Sequence, residues 1–210
     1  MANITLYGTP ISTYVRTVRL LLAAANVDYA LKEIGIFNGD NKTEDYLSKH
    51  PFSKIPTLEI DEEQIYETDA ITYYVSEKLA SSKFKPSDVL LQTRMYQIMS
   101  IVNSYLYAPA VGTLTIENLV VPQQGGTPNK EKIESAIAPT KKALKAIEDL
   151  FIGMPYLLGS NITLADFYLI PIFVYLAKTP QFEAVTDSSP KLKAWWETVQ
   201  DLNTVKEICS

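Results

Sequence analysis

The chain of 210 residues carries one cysteine, Cys209, and one histidine, His50. A lone cysteine excludes an internal disulfide framework and any paired-cysteine redox centre. A lone histidine excludes a metal site built from several imidazoles, a haem held by two histidines, and any Ser-His-Asp triad that does not use His50. Long apolar runs are missing too. No stretch reaches the roughly 18 uninterrupted apolar residues of a spanning helix, and the longest candidate, residues 167–177, reads as a buried helix. The N-terminal sequence MANITLYGTP has neither a basic n-region nor an apolar h-region, so no signal peptide is expected. Positive charge is not in excess: 19 Lys plus Arg against 24 Asp plus Glu leave a net charge of −5. That balance is a poor one for non-specific binding to nucleic acid or to an anionic membrane. These absences lead to an expectation of a cytoplasmic protein without nucleic-acid or membrane partners. The remaining composition, 47% hydrophobic and 20% charged, is that of an ordinary globular chain.

Periodicity divides the chain into two textures. Ile4 and Leu6 alternate as a short strand that Gly8, Thr9 and Pro10 break. Val15, Val18, Leu22 and Ala25 then share one face of a helix. A second strand is expected over residues 28–34, a loop around Asn38-Gly39-Asp40, and a short helix over residues 44–49. Residues 57–60 and 64–66 flank the acidic turn Asp61-Glu62-Glu63 as a hairpin, and helical spacing returns from Ile71 to Leu79. The order is β-α-β-α-β-β-α. A polar stretch over residues 81–88, with Pro86, reads as a linker. The rest reads as helix: 90–117 with a bend near Pro109, 130–151, 163–177 with Pro171 inside it, and 191–202. The expected organisation is therefore an α/β domain over residues 1–80, a linker over 81–88 and an all-α domain over 89–210.

Three segments of the first half carry candidate chemistry. In Phe52-Ser53-Lys54-Ile55-Pro56-Thr57-Leu58-Glu59 a proline directly precedes a strand, where its missing N–H does no harm. Proline also lowers the cost of a cis bond. A cis Ile55-Pro56 bond would turn the backbone N–H and C=O of Ile55 outward, ready to pair with an extended peptide. An ordinary trans proline opening a strand explains the same residues. In Tyr66-Glu67-Thr68-Asp69-Ala70-Ile71 a strand gives way to a helix that Thr68 or Asp69 would cap. A helix N-terminus favours a carboxylate, and Glu67 beside it could pair with an ammonium, a combination suited to an α-amino acid head group. A plain capped helix is the alternative. The third segment, Thr9-Pro10-Ile11-Ser12-Thr13-Tyr14-Val15-Arg16, joins the first strand to the first helix. Ser12 there is either a simple cap or a hydroxyl donor to a thiolate, which helix-terminal amides also stabilise.

Taken together and in this order, the three segments resemble the thioredoxin-like half of a cytosolic glutathione S-transferase. Lys54-Ile55-Pro56-x-Leu58 resembles that family's cis-proline motif, and Glu67-Thr68-x-Ala70-Ile71 its Glu-Ser-x-Ala-Ile motif, with threonine in place of serine. In the helical half, Gly159-Ser160-Asn161-Ile162-Thr163-Leu164-Ala165-Asp166 resembles the family's capping box and hydrophobic staple. The start Pro10-x-Ser12-x-x-x-Arg16 resembles serine-type classes such as phi, theta or delta.

The resemblance implies a thioredoxin-like N-terminal domain that binds glutathione and an all-helical C-terminal domain contributing the electrophile pocket. It implies Ser12 as the catalytic donor to the glutathione sulfur and Ile55 as the backbone partner of the cysteinyl part. Glu67 and Thr68 would hold the γ-glutamyl head, and Asn41, Lys42 and Lys54 would surround the glycyl carboxylate. The implied reaction is detoxifying conjugation of glutathione, a co-substrate, to small hydrophobic electrophiles, with no metal or prosthetic group. A homodimer is also implied, with Tyr73 and Arg94 or Tyr96 at its interface. Tyr7 is the rival catalytic hydroxyl, and Thr13 and Tyr14 come next if the loop register differs. Ile11, Tyr14, Tyr105, Tyr107 and Ile116 are candidates for an electrophile pocket between the two halves. His50 is expected at the surface or as a cap, and Cys209 as incidental. The same fold also serves as an assembly module, as in the gamma subunit of translation elongation factor 1B, or as a carrier of hydrophobic ligands. The end of the chain at residue 210 without an appended domain, together with Ser12, Glu67 and Thr68, favours the enzyme; Asp69 beside the γ-glutamyl site disfavours it.

Overall fold

A computed structural model describes residues 3–210; Met1 and Ala2, where the expected first domain begins, lie outside the described residues. The chain divides into two compact units: Met1–Phe84 together with Asn203–Ser210, and Lys85–Leu202.

In the first unit the element order is β1 (Ile4–Tyr7), α1 (Thr13–Ala24), β2 (Ala30–Lys32), a 3-10 turn (Asp40–Lys42), α2 (Glu44–Lys49), β3 (Thr57–Ile60), β4 (Glu63–Tyr66) and α3 (Thr68–Tyr74). A π-helical turn, Val75–Leu79, continues α3. The four strands form one sheet of order β2-β1-β3-β4. β1 runs parallel to β2 and antiparallel to β3, which pairs antiparallel with β4. β2 is shorter than the alternation suggests, because only Ala30, Leu31 and Lys32 register against Thr5, Leu6 and Tyr7. Val15, Val18 and Leu22 are fully buried on α1, as their spacing requires. Thr13, Arg16, Thr17, Leu20 and Leu21 are buried as well, so α1 is wrapped on more than one face.

The C-terminal residues depart from the sequence reading. Asn203–Cys209 form a helix (α11 in chain order) that packs on α1, so residues 203–210 belong to the first unit although the helical unit precedes them in sequence. Val205, Ile208 and Cys209 are its buried face. Cys209 is thus an apolar packing residue on an ordered helix.

The second unit is helical. α4 (Val89–Ile101) runs on through a π-helical turn (Val102–Leu106), α5 (Tyr107–Pro109), a longer π-helical stretch (Ala110–Val120) and α6 (Val121–Gln123). Then come α7 (Lys130–Leu150), α8 (Leu164–Leu176), α9 (Phe182–Thr186) and α10 (Pro190–Val199). α8 is apolar all round and accordingly lies at the centre, with twelve of its thirteen residues buried. Thr163 and Asp166 make the expected capping box, satisfying the helix's first orphan N–H groups. No helix among the described residues is long and apolar enough to cross a membrane.

Candidate active site

Strand register brings the three chemistry-bearing segments together. Tyr7 pairs with Thr57, and Thr57 pairs with Tyr66. One row across the sheet therefore holds the end of β1, the start of β3 and the end of β4. The chain leaves that row through residues 8–12, enters it through residues 54–56 and leaves it again through residues 67–68. Segments up to about sixty residues apart in sequence thus share one end of one sheet.

The segment between β1 and α1 turns tightly. A Cβ on Gly8 would lie 2.4 Å from Val15 Cγ2 and 3.5 Å from the Ile55 Cβ, so only glycine fits between β1, α1 and the Ile55 loop. Ser12 is the N-cap of α1 with extended dihedrals, and its Oγ accepts a hydrogen bond from Val15 N at 3.5 Å. A hydroxyl that accepts from a helix N–H keeps its own proton to donate. Arg16, one turn further on and buried, donates through Nε to the Pro10 carbonyl at 3.0 Å and through Nη2 to the Ser210 carbonyl at 3.4 Å. That guanidinium fastens the backbone just before Ser12.

The segment before β3 contains a cis Ile55-Pro56 bond, as the sequence allowed. The ladder of β3 with β1 ends at the Tyr7–Thr57 pair, which leaves Ile55 outside it. Ser53 has a left-handed φ of 57° and is tied to the 3-10 turn twice. Its carbonyl accepts from Asn41 Nδ2 at 2.8 Å and its hydroxyl donates to the Asn41 carbonyl at 2.5 Å. Tyr46, 1% exposed on α2, donates its hydroxyl proton to the Lys54 carbonyl at 2.7 Å and lies 3.2 Å from the Thr57 hydroxyl. Burial pushes the Tyr46 phenol above its ordinary pKa. Tyr46 also forms a small core with Tyr7 and Ile34, against which the Ile55 side chain packs.

His50 takes the second of its two expected places, that of a cap, and is not at the surface. It is 1% exposed at the C-cap of α2, with its N–H donating to the Tyr46 carbonyl, and its Nδ1 accepts from Phe52 N at 3.3 Å. Its ring stacks at a tilt on Tyr66, 5.0 Å between centroids. Burial lowers its pKa, and the nearby Glu67 charge opposes that.

The segment that opens α3 departs from the expectation of a Thr68 or Asp69 cap. Glu67 itself occupies the N-cap of α3, Thr68 is the first helical residue, and the Glu67 side chain makes no cap hydrogen bond. Glu67 is exposed and holds φ 70°, ψ 122°. A non-glycine residue in that region costs on the order of 1–3 kcal/mol, and such outliers concentrate at functional sites. Asp69 is exposed in the first turn of α3.

Tyr7 faces a different set of partners. Its hydroxyl donates to Glu59 Oε2 at 3.1 Å, and Lys49 Nζ pairs with the same oxygen at 3.1 Å while lying 5.0 Å from the Tyr7 ring centroid. Burial and the Glu59 carboxylate raise the Tyr7 pKa, whereas the Lys49 hydrogen bond lowers that of Glu59.

Comparison with known proteins agrees with this geometry. Residues 2–77 match the family described as glutathione S-transferase, N-terminal domain, and residues 98–203 match glutathione S-transferase, C-terminal domain. The chain belongs to the glutathione S-transferase family. Glutathione S-transferase F13 of Arabidopsis thaliana is 32% identical over 197 residues, covering 91% of this chain and 88% of the relative. A probable glutathione S-transferase of Oryza sativa subsp. japonica, GSTF2, is 29% identical over 100% of this chain and 97% of its own. Among solved structures, glutathione transferase F7 from Populus trichocarpa superposes with a TM-score of 0.85 at 29% identity, covering 98% and 97% of the two chains. The relatives are F-type, that is phi-class, transferases, a serine-type class.

Within this family fold, the segments bearing Ser12, Ile55, Glu67 and Thr68 lie at one end of the sheet. Lys42 and Lys54 are exposed, whereas the Asn41 amide is spent on the Ser53 backbone and its Oδ1 is buried without a hydrogen-bond partner. Ile11 is exposed next to Ser12. Tyr14 and Tyr107 are half-buried, Ile116 likewise, and Tyr105 is exposed. Tyr46 and Ser53 fasten the loop before the cis proline, and the sequence motifs do not single them out. The signal for Tyr46 is an aromatic residue in a short polar helix just before the cis-proline segment. No group of three or more His, Cys, Asp or Glu side chains that could hold a metal occurs among the described residues.

Proposed function

We propose that this transferase binds glutathione along the sheet end that carries residues 8–12, 54–56 and 67–68, with Ser12 as the catalytic hydroxyl. The observation that carries the reading is the Ser12 cap: Oγ accepts from Val15 N, so its proton is available to the sulfur. Tyr7, the rival, already donates to Glu59. Ile55 pairs through its backbone with the cysteinyl residue. The uncapped start of α3 and the strained Glu67 receive the γ-glutamyl carboxylate and ammonium, with Thr68 supplying a hydroxyl. Lys42 and Lys54 attract the glycyl carboxylate, and Asn41 acts chiefly by holding the loop they flank.

The thiol proton passes to solvent. The thiolate forms an S–C bond to an electrophilic carbon, and a leaving group departs with its electron pair. An unperturbed thiol has a pKa near ~8.5, so about 3% is thiolate at pH 7. A shift of ~2 units raises that to roughly three quarters and needs about 2.7 kcal/mol of preferential stabilisation. One hydroxyl donor added to helix-terminal amides is of that order. The exposed Ile11 offers an apolar surface beside the sulfur for a small hydrophobic electrophile. Glutathione is the co-substrate, and no metal or prosthetic group takes part in this scheme. The assembly-module and carrier readings gain no support from the named relatives.

Replacing Ser12 by alanine is expected to lower kcat/KM for conjugation of an activated aryl halide by about 10- to 50-fold at pH 6.5, because a bound thiol pKa moving from ~6.5 toward ~8.5 cuts the thiolate fraction from about half toward ~1%. Glutathione binding by calorimetry should persist. Unchanged turnover would remove Ser12 from its role, and absence of glutathione binding in the wild type would overturn the site as a whole. A homodimer is inferred as well, because Tyr73 on α3 and Tyr96 on α4 are exposed aromatics of the kind that interfaces cover. Sedimentation equilibrium at the mass of one chain would contradict it.

A further inference from the structure

We infer that Tyr46 is a positioning residue that aims the Ile55 N–H at the cysteinyl backbone of glutathione; this rests on the role of Ile55 in the proposed site. The Lys54 carbonyl and the Ile55 N–H belong to the same peptide unit, which is planar and trans. In such a unit C=O and N–H point in opposite directions. Tyr46 donates to the Lys54 carbonyl at 2.7 Å, and so fixes the plane from the buried side and turns the N–H the other way.

Two further contacts hold the clamp itself. The Tyr46 hydroxyl has one proton, which goes to Lys54, so at 3.2 Å the Thr57 hydroxyl supplies the second hydrogen bond as donor. Lys54 and Thr57 lie on either side of Ile55-Pro56, and one phenol oxygen therefore grips both ends of that dipeptide. The ring completes the arrangement, because Ile55 packs on the Tyr7, Ile34 and Tyr46 cluster. Tyr46 is 1% exposed and α2 holds it in place, its N–H accepted by the capping Thr43 hydroxyl at 3.3 Å. It touches no substrate in this scheme and acts only through the peptide it orients.

Tyr46→Phe keeps the ring and removes the oxygen. The expected result is a glutathione KM and calorimetric Kd raised about fivefold, with kcat at saturating glutathione within twofold of wild type and the bound thiol pKa unchanged. Thr57→Val, which leaves the Tyr46–Lys54 bond intact, should raise Kd less than twofold. In a ¹⁵N-labelled chain, glutathione should shift the Ile55 amide downfield, and Tyr46→Phe should reduce that shift. Wild-type Kd in a folded Tyr46→Phe, with the full Ile55 shift, overturns the role of Tyr46. No Ile55 shift in wild type that nonetheless binds glutathione overturns the reading of Ile55 instead. Equal loss of kcat and affinity in both variants points to general loosening of the loop, and also contradicts the proposal.

Discussion

The His50 ring is sealed between Phe52 and Tyr66. Burial favours the neutral imidazole, so the folded-state pKa lies below the ordinary value of ~6.5. With a depressed pKa, the unfolded chain takes up the proton first as pH falls. Stability from His50 is therefore complete above about pH 6.5 and is lost as pH drops through that value toward the lower folded pKa. The urea midpoint of the wild type should fall from pH 7.5 to 5.5 more steeply than that of His50→Asn. Parallel profiles would place His50 in water. The comparison with the variant isolates His50, because other titrating groups, among them Asp166 with its carboxyl raised by burial, are common to both chains. From sequence, a histidine before a proline at the end of a short charged helix reads as a surface or capping residue; the cap is found, and its burial is what the sequence did not show. Its sealing partners come from the loop after it and from β4, which no local pattern brings together. Ser12 was legible at this scale because capping is local chemistry. Tyr46 was not, because its partners lie eight and eleven residues on, across a turn.

At the scale of elements, the long periodic segments were plain in the sequence: α1, α7, α8 and the hairpin come from spacing and turn residues. Their fastenings were less visible. Glu148 on α7 accepts from the backbone N–H groups of Lys191 and Leu192, capping α10 from more than forty residues away. Asp166 was legible as half of a capping box with Thr163. The structure adds two partners, the Leu157 N–H at 3.0 Å and the Trp195 Nε1–H at 2.9 Å. One buried carboxylate thus joins the start of α8, the loop before it and α10. Asp166→Asn would set an NH₂ group against those donors, leaving buried N–H groups without an acceptor. The expected cost is about 3 kcal/mol of unfolding free energy, from the usual penalties for broken buried charged hydrogen bonds. Chemical denaturation of the variant measures it, and a loss below about 1 kcal/mol would mean that Asp166 is not the junction described.

Across the whole molecule, the β-α-β-α-β-β-α unit and the helical stretch after it could be read from texture alone. The return of α11 to α1 could not, because seven residues with an apolar face carry no address. The row Tyr7–Thr57–Tyr66 unites the site, and it depends on register, which sequence does not state. It makes the three segments one surface, and on that surface a single hydroxyl, that of Ser12, serves the reacting atom in the proposed scheme. The most direct test is a pH titration of thiolate ultraviolet absorbance for glutathione bound to the wild type and to Ser12→Ala. The expected bound thiol pKa is below about 7 in the wild type and rises toward the free value of ~8.5 in the variant. A depressed pKa that is the same in both would contradict the assignment.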